Sequence, residues 1–222
     1  MREALAADAV LELFATADAI ERHPELTADA AEISAKDAAA LSETVTPQGL
    51  VAVCRAVDVA LDAALASHPA LVAALVDAND PGNAGTILRT SDAAGAGAVI
   101  FAGGVDPYNG KAVRASAGSL FHLDVVTGVD VVELLDAART AGLRTLATTG
   151  AGSRDLDELA DAGGLAGPTL WLFGNEAHGL PSEVVAVADA SVRVPIHGRA
   201  ESLNLAAAAA VCLYASARAQ RS

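Results

Sequence analysis

Apolar and polar positions follow two different rhythms along this chain. Residues 10–16 (VLELFAT) alternate with a period of two, the pattern of a strand with one buried face. Ala17–Arg22 reads as helical and stops before Pro24, because proline cannot continue a helix. Ser34 is placed to cap a helix over residues 34–43, its hydroxyl accepting a free N–H of the first turn. Leu50–Cys54 (LVAVC) is a short strand after the turn at Pro47-Gln48-Gly49. Residues 1–57 are therefore expected to form a small α/β domain, entered through a helix near residues 2–7. The Asp/Ala-rich stretch 58–68, ending at His68-Pro69, reads as a linker.

From residue 69 the rhythm changes to short apolar runs separated by helical stretches. Strands are expected at Leu71–Val76, Ala98–Ala102, 123–126, Arg144–Thr148, Thr169–Phe173 and 192–194. Helices are expected at 83–94, 111–116, 131–141, 182–188 and 202–218. Strands that alternate with helices imply an α/β fold, with a parallel sheet covered on both faces over residues 69–222. Ligands of such sheets sit at the carboxyl ends of the strands.

Composition changes this picture in a few places. The chain has 222 residues, 53% hydrophobic but only 3% aromatic, so Ala, Val and Leu must build the core. No stretch of about 18 apolar residues runs unbroken, so no membrane span is expected. The N-terminus lacks a signal-peptide pattern, and Cys54 and Cys212 stand alone, outside any metal-ligand spacing. A cytoplasmic protein with reduced thiols and no metal follows. The net charge of −14 argues against indiscriminate binding of nucleic acid. That charge is uneven. Residues 1–78 hold 13 acids against 4 bases, whereas residues 79–122 balance three acids with Arg89, Lys111 and Arg114. Twelve of the 14 bases are arginine, which grips phosphate bidentately.

Three segments carry candidate chemistry. The first is Asn79-Asp80-Pro81-Gly82-Asn83, a tight turn after a strand, with Asn83 placed to cap the next helix. Arg89 follows six residues later, about 120° further around the axis. The two border one pocket only if Asn83 lies at the very start of the helix. An arginine on a mainly apolar helix calls for an anion or for solvent. The second segment, Phe173-Gly174-Asn175-Glu176-Ala177-His178-Gly179, follows a buried strand. Its glycines permit positive φ and close approach of a ligand, and Asn175 and Glu176 offer an amide and a carboxylate. His178 has no second ligand at metal spacing and reads as solvent-facing. The third, Glu201-Ser202-Leu203-Asn204, ends a loop at a helix start, where Ser202 and Asn204 can satisfy free N–H groups. Lys111, Arg114 and Ser116 add a basic, hydroxyl-bearing helix. Gly95-Ala96-Gly97 precedes a strand rather than following one, which removes a dinucleotide-binding reading.

The ordered set NDPGNAGTILRT, GKAVRASAG, LFGNEAHGL and PIHGRAESLNLAAA resembles the SpoU/TrmH-type RNA ribose 2′-O-methyltransferases, of the trefoil-knotted SPOUT class. The resemblance covers residues 71–218 strongly and 1–57 weakly. It implies a knotted C-terminal domain and a small L30e-like N-terminal domain for RNA. The family usually places a strand ahead of the first helix, so that N-terminal domain is expected to be truncated. The resemblance also implies S-adenosylmethionine as methyl donor, an RNA substrate (ribosomal favoured over transfer RNA) and a homodimer through the C-terminal domain. By motif, Asn83, Arg89, Glu176, Ser202 and Asn204 would be catalytic. Leu172, Gly174, Asn175, Gly179, Ile196, Leu203 and Leu205 would surround the cofactor. Arg89 and Arg114 would meet RNA phosphate. Transfer-RNA methylation, or a noncatalytic role binding cofactor and RNA in ribosome assembly, is the alternative.

Overall fold

The computed structural model describes residues 1–42, 44 and 46–221. Glu43, the last residue of the helix expected over 34–43, lies outside them. The chain divides into two compact units, Met1–Val57 and Asp58–Ser222.

The first unit contains α1 (Arg2–Ala6), β1 (Val10–Ala15), α2 (Ala17–Arg22), β2 (Ala31–Glu32), α3 (Ala35–Leu41) and β3 (Leu50–Cys54). β1 lies between the other two strands, parallel to β2 and antiparallel to β3. Leu13 and Ala15 are buried with Glu12 exposed before them, whereas Leu11, on the same period-two face, is exposed at a register shift in the pairing with β3. Thr16 and Ser34 cap α2 and α3, accepting from Ala19 N and Asp37 N. Both caps are the hydroxyl type that spares a first-turn N–H.

The second unit begins with α4 (Leu61–Ala66) and β4 (Leu71–Val76), then α5 (Pro81–Ala94), β5 (Ala98–Ala102), α6 (Gly110–Ser116), β6 (Asp124–Val126) and α7 (Val131–Thr140). It continues with β7 (Arg144–Thr148), β8 (Arg154–Asp155), α8 (Leu156–Asp161), β9 (Thr169–Phe173), α9 (Ser182–Val187), β10 (Ala190–Arg193) and α10 (Leu205–Ala219). The strands form one sheet in the order β6-β5-β4-β9-β7-β10-β8, parallel throughout among the described residues. Every residue of β4, β5 and β9 is buried, which explains runs such as LVAALV and TLWLF that show no alternation.

Three boundaries differ from the sequence reading, each for a local reason. The stretch 58–68, expected as a linker, holds α4, which buries Leu61, Ala64 and Leu65 at helical spacing within the second unit. α5 starts at Pro81 rather than Asn83, because Asp80 is the cap: its carboxylate accepts from Gly82 N and Asn83 N. α10 starts at Leu205 rather than Ser202, with Asn204 as cap and Ser202 in the loop before it. β8 and α8, in the Asp-rich stretch 154–161, carry too short a pattern to read.

Two contacts hold the helices that border the strand ends. Gly85 of α5 packs so closely on α6 that a Cβ there would stand 2.3 Å from the Ala112 carbonyl oxygen. Trp171 of β9 is wholly buried and donates its indole N–H to Ser216 Oγ of α10 at 2.9 Å, with its ring stacked near Phe173. A Ser216→Ala variant strands that buried N–H. It should lose about 1–3 kcal/mol of stability, read as a lower urea midpoint at unchanged m-value.

Candidate active site

β4, β9, β7 and β10 are neighbours in the sheet and all run the same way, so the loops leaving them open side by side. Those loops carry residues 77–80, 174–181, 149–153 and 194–204. All three sequence segments thus reach one edge of the sheet although they lie up to 125 residues apart, from Asn79 to Asn204.

Glu176 organises the centre. Its carboxylate accepts the backbone N–H of Asn79 at 3.0 Å and of Asp80 at 3.2 Å, and the Asn83 side-chain amide at 3.0 Å. Asn83 in turn accepts from Asn204 Nδ2 at 3.0 Å. Asn204 Oδ1 is already committed to Ala206 N and Ala207 N as the α10 cap. The order of donors is therefore fixed from both ends. Asn204 can offer only N–H toward Asn83, and a carboxylate can only accept. The chain Asn204–Asn83–Glu176 ties the start of α10, the start of α5 and the loop after β9 into one unit. Burial pushes the Glu176 carboxyl up, but the bonds from Asn83, Asn79 and Asp80 outweigh it and hold it below the usual carboxylate range. Lys111 Nζ, 3.0 Å from Asp80 Oδ1, is the main reason that Asp80 also titrates low; the N–H groups of Gly82 and Asn83 add to it.

The loop after β9 is built for close approach. Asn175 donates to the Asp77 carbonyl oxygen at 2.8 Å and accepts from Ala177 N and His178 N. A reciprocal backbone pair joins Asn175 to Gly179, which takes φ +69°. Gly174 faces the backbone of Gly179 and Leu180 so tightly that a Cβ would come within 2.3 Å of both. Only glycine fits there.

Two cavities open at this edge. The first, of about 470 Å³, is walled by Thr148 at the end of β7 with Thr149 and Gly150 after it, by Gly174 to Glu176 and Gly179, and by Val192, Val194, Ile196 and residues 201–205 with Ala208. The second, of about 550 Å³, lies over the start of α5 and shares Asn175, Glu176 and Asn204 with the first. Asn83 lines the second cavity.

Most of the sequence-predicted residues meet here. Gly174, Asn175, Glu176, Gly179, Ile196, Ser202, Leu203, Asn204 and Leu205 wall the first cavity, and Asn83, in the second, bridges Glu176 and Asn204. Leu172 does not reach it. Its side chain is wholly buried in the core, and its carbonyl oxygen accepts from the Thr148 hydroxyl at 2.8 Å. Arg89 and Arg114 line neither cavity and are exposed on α5 and α6. The sequence reading missed Thr148, Thr149, Gly150 and Glu201. The Thr-Thr-Gly turn after β7 was the available signal, since β7 is a strand whose end faces the same edge.

The cavity suits an adenosyl methyl donor. Its volume falls in the range of small-molecule sites, about 300–1,000 Å³. Apolar side chains (Val192, Ile196, Leu203) share the walls with bare backbone at Gly150 and Gly174, an environment for a planar heterocycle flanked by hydrogen-bonding peptide groups.

Comparison with known proteins agrees with this geometry. The model of the SpoU rRNA Methylase family matches residues 70–214. The chain belongs to this family. It is 36% identical over 176 residues to the 23S rRNA (guanosine(2553)-2′-O)-methyltransferase RlmP of Bacillus subtilis, covering 79% of this chain and 67% of that one. It is 39% identical over 144 residues to a 23S rRNA (uridine(2479)-2′-O)-methyltransferase of Streptomyces viridochromogenes, covering 62% and 49%. The chain thus spans about two thirds of the first relative and about half of the second. Among solved structures, the SpoU methyltransferase AviRb of S. viridochromogenes in complex with AdoMet superposes with a TM-score of 0.81 at 31% identity, covering 98% of this chain and 86% of that one. An AdoMet-bound rRNA methyltransferase of Sinorhizobium meliloti gives 0.83 at 30%, covering 98% and 85%. The mixed α/β fold with its seven-stranded parallel sheet is therefore that of the SpoU/TrmH methyltransferases.

The Glu176 bonds have a pH signature. Its folded-state carboxyl titrates below the unfolded value, so its contribution is complete above that value, about pH 4.3, and is lost as pH falls through the lower folded one. Glu176→Gln should flatten the acid side of the stability–pH curve as pH falls below about 4.3, measured by urea unfolding. An unchanged slope would show that the carboxylate bonds do not stabilise the fold.

Proposed function

We propose that this chain transfers a methyl group from S-adenosylmethionine to a ribose 2′-hydroxyl of RNA, with ribosomal RNA as its substrate class, as a cytoplasmic homodimer. The observation that carries this reading is the Asn204–Asn83–Glu176 chain, which joins all three motif segments at the mouth of a cofactor-sized cavity. The relatives' own names, 23S rRNA 2′-O-methyltransferases, supply the substrate class.

Gly174, Gly179, Ile196, Leu203 and Leu205 would hold the donor, and Asn175 fixes the loop on which the glycines sit. When bound, the donor supplies an electrophilic methyl on a cationic sulfur. The residues around it position more than they push. Asn83 and Asn204 are neutral, and their amides are locked in one orientation, so they can order a ribose without spending reorganisation at the reaction step. Glu176 already accepts from three donors and titrates below the usual carboxylate range, which makes it a weak base for the hydroxyl proton. Arg89 is no base, since guanidinium keeps its proton in proteins. It is exposed and makes no hydrogen bond or ion pair among the described residues. Its part is to support the developing alkoxide and a neighbouring RNA phosphate.

Arg89 lies outside both cavities of its own chain, and this favours a dimer in which a second protomer presents it. An apolar stripe on α10 offers a contact. Ala207, Val211 and Tyr214 share one exposed helix face with Arg218, and Val211 and Tyr214 are 43% and 53% exposed.

Two variants separate donor binding from turnover. Calorimetry with S-adenosylmethionine should show binding to the wild type, and Asn204→Ala should weaken it by about tenfold, because the cap and the Asn83 bond are lost together. Arg89→Ala should keep donor affinity and lose about 10²-fold or more in methyl transfer to ribosomal RNA. Near-wild-type turnover of Arg89→Ala would overturn the role given to this residue, and absence of donor binding to the wild type would overturn the enzyme itself.

A further inference from the structure

The walls of the first cavity are charged in one sense only. Among the described residues that line it, Glu176 and Glu201 are acids, and none is Lys, Arg or His. The two carboxylates are not equivalent. Glu176 spends its oxygens on Asn79, Asp80 and Asn83. Glu201 is exposed in the loop before α10 and makes no hydrogen bond or ion pair among the described residues, Arg199 of the same loop included. Among the described residues of the lining, it is therefore the carboxylate whose oxygens no protein donor occupies.

We propose that Glu201 is a specificity-determining residue that makes the cavity select the cationic methyl donor over its neutral demethylated product. This rests on the cavity being the donor site. At neutral pH S-adenosylmethionine carries a net charge of +1: ammonium and sulfonium against one carboxylate. Methyl transfer breaks the carbon–sulfur bond with its electron pair kept on sulfur, forms the carbon–oxygen bond to the ribose, and releases the hydroxyl proton to solvent. S-adenosylhomocysteine is left with no net charge. The two ligands share their adenine, ribose and amino-acid parts, so apolar walls and backbone donors hold both alike. A free carboxylate at the cavity wall is the element that tells them apart, because it attracts only the extra charge. The same asymmetry helps the product leave, since the attraction that held the donor vanishes when the methyl moves.

The test is calorimetric titration of the full chain with S-adenosylmethionine and, separately, with S-adenosylhomocysteine. Both should bind the wild type, the donor more tightly. Glu201→Gln keeps the side chain's size and should weaken donor binding by roughly three- to tenfold, while product affinity stays within about twofold. Glu201→Asp keeps the charge and should retain most of the wild-type preference. Raising salt from about 50 to 500 mM should narrow the wild-type preference but leave the Glu201→Gln ratio nearly fixed. Equal weakening of both ligands in Glu201→Gln would mean that the residue only shapes the loop, and an unchanged ratio would mean that its charge is not felt; either overturns the proposal. Failure of the wild type to bind either ligand would instead remove the donor site itself, and the selectivity with it.

Discussion

The hydrogen-bonded chain Asn204–Asn83–Glu176 is the constraint on which the rest of this site depends. It connects the N-termini of α5 and α10 with the loop after β9. Each helix start presents unpaired N–H groups and the positive end of a dipole. Here two such ends meet, and the N–H groups around them are satisfied by the carboxylates of Asp80 and Glu176 and by the side-chain oxygen of Asn204. Asp80 and Asn204 cap the helices, and Glu176 takes the backbone N–H of Asn79 and Asp80 just before α5. With every orientation determined, the loops cannot drift independently. Loop residues that wall a cofactor cavity thus gain the rigidity of the helices behind them.

Why the helices sit where they do is a question of packing. Gly85 lets α5 lie against α6, and the buried Trp171–Ser216 bond pins α10 to β9. β9 lies between β4 and β7 although it follows them both in sequence, so the loops from three separate parts of the chain become neighbours. The parallel sheet supplies a common direction, and the inserted strand supplies the convergence.

Much of this was legible in the sequence, and what was not has physical reasons. Fully buried strands such as LVAALV and TLWLF declare themselves by composition, and caps such as Ser34 by residue type. The motif residues were legible through family resemblance, and Asn83, Glu176 and Asn204 do lie together. What spacing cannot reveal is which polar group takes which partner. Asp80, not Asn83, caps α5, and that substitution of roles frees the Asn83 amide to bridge Glu176 and Asn204. Leu172 lines neither cavity, because in a strand buried on both faces its side chain lies in the core, and its carbonyl oxygen accepts from Thr148. Thr148 to Gly150 were missed because they belong to no motif and reach the cavity only through strand order. The helix in 58–68 was hidden by an Asp/Ala composition that reads as polar until Leu61, Ala64 and Leu65 are seen to share one face.

An overall charge of −14 sits oddly with an RNA substrate until the charge is resolved in space. Thirteen of the 28 acids fall within residues 1–78, most of them in the first unit. At the edge of the sheet where the two cavities open, the acids are few and mostly committed. Glu176 is hydrogen-bonded by three neutral donors and Asp80 is paired with Lys111. Field at a site depends on nearby unscreened charge, because at physiological ionic strength interactions between exposed charges fade over about 8 Å. A polyanion close to α5 therefore feels the exposed Arg89 and the other charges within that range more than the net charge of the chain. Net repulsion then weakens indiscriminate binding far more than it weakens docking at this one edge, and an acidic chain with a few placed cations gains selectivity from the very charge that opposes a polyanion at long range.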